Sequence, residues 1–195
     1  MTENYKEETL KLLRAIYRDG MEDLIAYLEN DTDFFTAPAS TKYHSNFIGG
    51  LVEHSYKVTK LFWEKCKAFN VDVPWESVAL CGLMHDLCKC NFYIRGIKNV
   101  KEGKKPDGRD NWVEKEVWDI DDKLPLGHGS KSVILLQRFI KLTDFETMAI
   151  LYHMGLPEEY SAKMSYGKAL EQFPAIILLH TADEESSYLL EKTIK

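Results

Sequence analysis

An apolar run ending in GLMHDLCK, residues 82–89, sets three ionisable side chains, His85, Asp86 and Lys89, against core positions. Polar groups are costly to bury unless partners replace their hydration, so a fold that accepts this run must supply such partners. The pattern around it is helical. Leu10, Leu13, Ile16 and Tyr17 recur at helical spacing ahead of Gly20, and MEDLIAYLEN predicts a second short helix. A long helix is predicted from about Leu51 to Phe69, with Leu51, Val58, Leu61 and Phe62 on its inner face. Another is predicted from about Trp75 to Cys88, and FFTAPASTKYHSNFIGG is a loop.

The character changes after Cys90. NFYIRGIKNV and WVEKEVWDID are rich in β-branched and aromatic residues and flank the turn-rich KEGKKPDGRDN. They predict a β-hairpin with a long polar tip, inserted at about residues 91–120. Helices resume at SKSVILLQRFIK, Thr143 and Glu146 form a capping-box pattern, and a last helix carries AIILLHTADEESSYLLEK. The predicted fold class is all-α, a helical bundle with a small hairpin. A chain of 195 residues is long enough to bury a core of its own, and a single domain over 1–195 is the simplest account.

A net charge of −6 disfavours long nucleic acid as a partner, because such binding needs a broad basic surface. No apolar stretch reaches the roughly 18 residues that span a bilayer, and the first 20 residues read as a helix rather than an apolar signal core. A cytoplasmic location without a membrane partner is the expectation. Cys66, Cys81, Cys88 and Cys90 fit free thiols in a reducing compartment better than a zinc ribbon, since no second thiol pair follows Cys88 and Cys90.

His54 lies in the first of the long helices, His85 and Asp86 end the next, and Asp183 lies in the last. Each sits beside apolar neighbours and should point partly inward. Two imidazoles and two carboxylates from three packed helices can close around one divalent cation. The mixed set suits Mn²⁺, Fe²⁺, Co²⁺, Ni²⁺ or Zn²⁺ better than Ca²⁺, and it leaves coordination positions open for a substrate.

NFIGGLVEHS, ALCGLMHDLCK and the late HTAD resemble the HD-domain metal-dependent phosphohydrolase superfamily, over about Tyr43 to Asp183. The likeness is to small single-domain HD proteins of bacteria and phages, and to the HD portion of some 3′–5′ exoribonucleases. The resemblance implies an HD helical bundle, with N-terminal helices over 1–42 and a metal-binding core over 43–185. It implies His54, His85, Asp86 and Asp183 as ligands of a divalent transition metal, with Mg²⁺ a further candidate. His128 and His153 stand where several subfamilies carry two more histidines. There they bind a second ion that shares the aspartate of the pair, so one ion or two is left open. The chain has Met154 where many subfamilies have another histidine.

Lys89 stands where the family pattern often has a lysine, four residues after His85, placed to offset charge on a phosphoryl group. Asp86 is expected to hold the attacking water as well as metal, so Asp86 and Lys89 are the catalytic candidates. Between Lys89 and Arg109 there are seven Lys or Arg and two acidic residues, a basic rim suited to a phosphorylated ligand. Lys89, His128, Arg95 and His44 are the candidate substrate contacts. The expected function is hydrolysis of a phosphoester of a nucleotide or other small phosphorylated molecule through a metal-activated water. The alternatives are a 3′–5′ exonuclease-like activity on short single strands and a regulatory module that binds nucleotide without turnover.

Overall fold

The computed structural model describes residues 2–157 and 160–191. Among these, eight α-helices and one two-stranded antiparallel sheet are present. Helix α3 (Gly50–Ala68) is the central strut. It packs against α1 (Thr2–Arg14), α4 (Trp75–Met84) and α8 (Ile176–Glu185). Helix α2 (Met21–Asn30) covers α1, and α5 (His128–Leu136) packs on α6 (Asp144–Leu151). A further helix, α7 (Tyr160–Gln172), precedes α8 and is not among the predicted helices.

The core draws on nearly every helix. Leu13, Leu24, Leu28, Leu51, Phe62, Leu80, Leu83, Met84, Leu136 and Ile150 are fully buried. Every residue of α4 from Ser77 to Met84 is buried, which explains why its sequence is apolar all round rather than striped. Gly82 lets α4 approach α3 closely: a Cβ there would lie 2.5 Å from Thr59 Oγ1 and 2.7 Å from Thr59 Cα. Gly49 starts α3 at φ 80°, a conformation glycine adopts without strain. The Thr143 capping box is present, with Thr143 Oγ1 accepting from Glu146 N and Glu146 Oε2 accepting from Thr143 N.

Four local expectations are corrected. Tyr17 is solvent-exposed, because α1 has ended at Arg14 and the chain turns before it. Helix α4 stops at Met84 instead of continuing to Cys88. Asp86 leaves helical geometry (φ −102°, ψ 22°) and a 3-10 turn at Leu87–Lys89 follows. The last helix closes at Glu185 and widens into a π-turn, Ser186–Leu190. The hairpin is there, but strands β1 (Tyr93–Lys104) and β2 (Asp110–Ile120) run well into the expected tip. Acid–base pairs hold this polar region in register: Lys98–Asp119 at 2.9 Å, Lys101–Asp110 at 2.8 Å, and Lys115–Glu102. Among the described residues no helix is long and apolar enough to cross a membrane.

Candidate metal centre and phosphoester site

His54 is on the second turn of α3, buried where that helix meets α4 and α8. His85 follows the last residue of α4, and its Nδ1–H donates to the Gly82 carbonyl at 2.8 Å. That bond fixes the ring so that Nε2 faces His54. The two Nε2 atoms are 3.2 Å apart. Asp183 Oδ1, from α8, lies 3.2 Å from His54 Nε2 and 4.0 Å from His85 Nε2. Asp86 Oδ2 lies 3.5 Å and 3.4 Å from the same two nitrogens. Donors that share one transition-metal ion at ~2.0–2.2 Å sit ~3–3.5 Å from one another; the His54–His85, His54–Asp183 and Asp86–histidine separations match that, His85–Asp183 is wider, and His54, His85 and Asp183 form the compact group.

The tautomers fit a cation as well. His54 Nδ1 donates to Glu191 Oε1 at 2.7 Å, and His153 Nδ1 donates to the Ile150 carbonyl at 2.7 Å. With His85, three buried rings therefore carry Nδ1 outward and turn Nε2 toward Asp86. Carboxylate and carbonyl partners on the far nitrogen are what orient imidazole ligands in metal sites. His153 Nε2 is fully buried and has no hydrogen-bond partner, although Asp86 Oδ1 stands 3.6 Å away. Asp86 raises the pKa of His153 against the effect of burial, so a protonated ring pairs with that carboxylate; a cation would suit the same position.

The electrostatics match a centre that holds negative charge ready. Burial works against the Asp86 carboxylate, but Lys89 and the surrounding histidines hold its pKa well below the usual carboxylate range. Asp183 is lowered in the same way, chiefly by its hydrogen bond to His54. Burial works against a charged His54, yet its bonds to Asp183, Asp86 and Glu191 raise it well above an ordinary histidine. Glu191 is brought down to about 2 by His54 in spite of its burial.

Lys89 reaches Asp86 Oδ2 at 2.7 Å, from the 3-10 turn rather than from a continuing helix. Tyr93, the first residue of β1, stands over this pair, with its hydroxyl 3.5 Å from the Ala39 carbonyl. Burial pushes its phenol up to about 12, so it is a neutral hydrogen-bonding group. His44 stacks on His54, ring centroids 5.1 Å apart, and burial brings it down to about 4, so it is neutral too. His128, the first residue of α5, is on the other side of Asp86, with Nδ1 3.4 Å from Cys88 Sγ.

Arg95 stacks on Trp118 at 3.8 Å and lines a separate groove between the hairpin and residues 41–48, whose lining includes none of the His–Asp cluster. The basic stretch is also largely neutralised, through the strand pairs above and the Arg109–Asp107 pair at 2.7 Å. Two residues of the site went unnoticed in the sequence. Glu191 follows Asp183 by eight residues, about two helical turns, but stands in a charged stretch that reads as a solvated face. Cys88 reads as an inert buried thiol until its neighbours are known.

A 63-residue stretch of the chain is 35% identical to a dihydroneopterin 2′,3′-cyclic phosphate phosphodiesterase of Methanocaldococcus jannaschii, covering 30% of this chain and 25% of that protein. The chain thus matches about a quarter of its relative's length. No family model matches the chain, and no solved structure matches it.

Proposed function

We propose that this chain is a metal-dependent phosphohydrolase of the HD type, acting on a phosphoester of a nucleotide or other small phosphorylated molecule. The observation that carries the reading is the convergence of His54 from α3, His85 and Asp86 from the turn after α4, and Asp183 from α8, with the Lys89 ammonium on one oxygen of Asp86. Those four side chains would hold the ion, and residues 43–185 would be the metal-binding core of one domain, with Glu191 added beyond it. A divalent cation bound there supplies Lewis acidity toward a phosphoryl oxygen and a water made acidic enough to attack at neutral pH.

The chain's own residues do the rest. Lys89 places a buried positive charge beside the position where a transferred phosphoryl group gains negative charge. Asp86, ionised across the working range, accepts a hydrogen bond from the attacking water and orients it. Tyr93 and His44 offer neutral donors at the mouth, suited to ester or hydroxyl oxygens. Arg95, in its separate groove, suits the distal part of a larger substrate rather than the reacting phosphate. His128 and His153 flank the far side of Asp86, and a second ion there would share that carboxylate.

A phosphodiester is favoured over a monoester by the relative, which is named for a cyclic phosphodiesterase. The test is a hydrolysis screen with metal-loaded protein over 2′,3′- and 3′,5′-cyclic nucleotides, nucleoside mono- to triphosphates and short oligonucleotides. Release of product from a small phosphoester, abolished in Asp86→Asn, is the expected result. Retention of ligand without product would favour a binding module, and preference for oligonucleotides would favour the exonuclease reading. Equal turnover by wild type and Asp86→Asn at saturating metal would sink the proposal.

A further inference from the structure

The groove between the hairpin and residues 41–48 shares both of its walls with the candidate centre. On one side, Tyr93 stands over the Lys89–Asp86 pair at the start of β1. Arg95, two residues on, projects from the same face of that strand, about 6.6 Å further along, and lines the groove. On the other side, His44 stacks on His54, and Ser45 bonds to Glu191. Lys42, Phe47 and Ile48 of that same loop face the groove. Its volume of about 1010 Å³ is that of a site for a whole small ligand, far more than one ester group fills.

The cations of the groove fall into two kinds. Lys98, Lys101 and Lys115 are held by Asp119, Asp110 and Glu102. Arg95 and Lys42, one from each wall, pair with no carboxylate among the described residues. Arg95 lies instead over the Trp118 ring, its guanidinium carbon 3.8 Å from the centroid. Trp118 is its cross-strand partner, so the strand register sets the stack. A stacked guanidinium keeps its N–H donors in plane for an anion and leaves its second face open to a planar ring. Glu116, the sole acid in the lining, offers an acceptor one step along the same face as Trp118.

We propose that this groove is a subsite for the non-reacting half of the substrate, and that this half is one nucleotide unit. Its base stacks on the free face of Arg95, backed by Trp118, and its phosphate is held between Arg95 and Lys42. The substrate is then a linear phosphodiester with a phosphorylated nucleoside on one side of the reacting phosphorus. A cyclic ester of a single nucleoside reaches the centre and leaves the groove empty. This deepens the phosphohydrolase reading and rests on it for the reacting end alone.

The test compares two substrates of the metal-loaded full chain: a 5′-phosphorylated linear dinucleotide, and bis(p-nitrophenyl) phosphate, which has no second phosphate. In Arg95→Gln and in Lys42→Gln, the ratio of kcat/KM for the dinucleotide to that for the aryl ester should fall by about tenfold or more. The loss should appear in KM for the dinucleotide rather than in kcat. Cyclic mononucleotides should show a higher KM than the dinucleotide, and longer strands should show no lower one. A ratio unchanged in both variants would overturn the subsite. A KM that keeps falling as the strand lengthens would overturn its extent of one nucleotide in favour of a strand end. Calorimetric titration of the metal-free protein with the dinucleotide separates the groove from the centre. Binding that Arg95→Gln weakens by about tenfold supports the subsite even if no ester is hydrolysed, and absence of binding overturns it.

Discussion

Glu191 holds His54 from its outer side. Its side chain is buried, bonded to His54 Nδ1, and gripped by Ser45 Oγ and Ser186 Oγ, each at 2.6 Å. A carboxylate on the outer nitrogen of an imidazole fixes the ring and makes its inner nitrogen a better ligand. Glu191→Gln keeps the shape and removes the charge. Cation affinity, measured by calorimetry, should fall by about 10–100-fold, with the far-ultraviolet circular dichroism unchanged. An unaltered affinity would reduce Glu191 to a packing role. At this scale the sequence was uneven. That His54, His85, Asp86 and Asp183 would meet was legible from their place beside apolar residues together with the family resemblance of the motifs around them. Glu191 and Cys88 were not, because nothing local distinguishes a carboxylate that folds back onto a histidine 137 residues away from one that faces water.

Between elements, the crossing of α3 and α4 sets the geometry of the two histidines. Gly82 provides both the close approach to Thr59 and the carbonyl that orients His85. Gly82→Ala should push α4 away from the α3 backbone at a cost of about 1–3 kcal/mol, read from urea unfolding, and weaken cation binding in the same protein. On the opposite side of α4, Glu146 is buried and takes two hydrogen bonds from Arg18, at 2.7 and 2.8 Å, and one from Ser77 Oγ at 2.8 Å. Burial works against its charge, but Arg18, Thr143 and Ser77 hold its pKa below the ordinary 4.5. A carboxylate lowered on folding stabilises the protein above its unfolded pKa and loses that contribution as pH falls through the folded one. Glu146→Gln should therefore be less stable than wild type at pH 7 by about 2–3 kcal/mol, with the gap closing below about pH 4.5. A gap independent of pH would show that the charge contributes nothing. The capping box at Thr143 was readable from spacing alone. The stop of α4 at Met84 was not, since it follows from where Asp86 must point in three dimensions.

For the molecule as a whole, the candidate ligands come from α3, the turn after α4, and α8, so a cation bound there would tie together segments that are distant in sequence. Binding to the native state alone at a hundredfold excess over Kd adds about 2.7 kcal/mol, which for a chain of this length raises Tm by about 5–10 °C. Thermal scans with and without chelator check this, and no shift with any transition metal would contradict the centre. The hairpin should behave oppositely. Its strands contact each other far more than they contact the helices, so replacing the tip, residues 103–110, by a two-residue turn should leave Tm within about 3 °C. The helical class was visible in periodicity, and the inserted hairpin in its β-branched and aromatic composition around a turn-rich segment. The run of the strands into the polar tip was hidden, because its stability lies in cross-strand charge pairs that no single strand displays.

Lys89 brings its own consequence. Its ammonium rests on the very oxygen that faces the two imidazoles, and with the imidazolium of His54 it balances the carboxylates around it. A dication held by these side chains, as the proposed function requires, would take over that balance, displacing the His54 proton and loosening the hold of Asp86 on Lys89. The ammonium would then be free to meet an incoming anion, so one lysine would serve charge balance and substrate in turn.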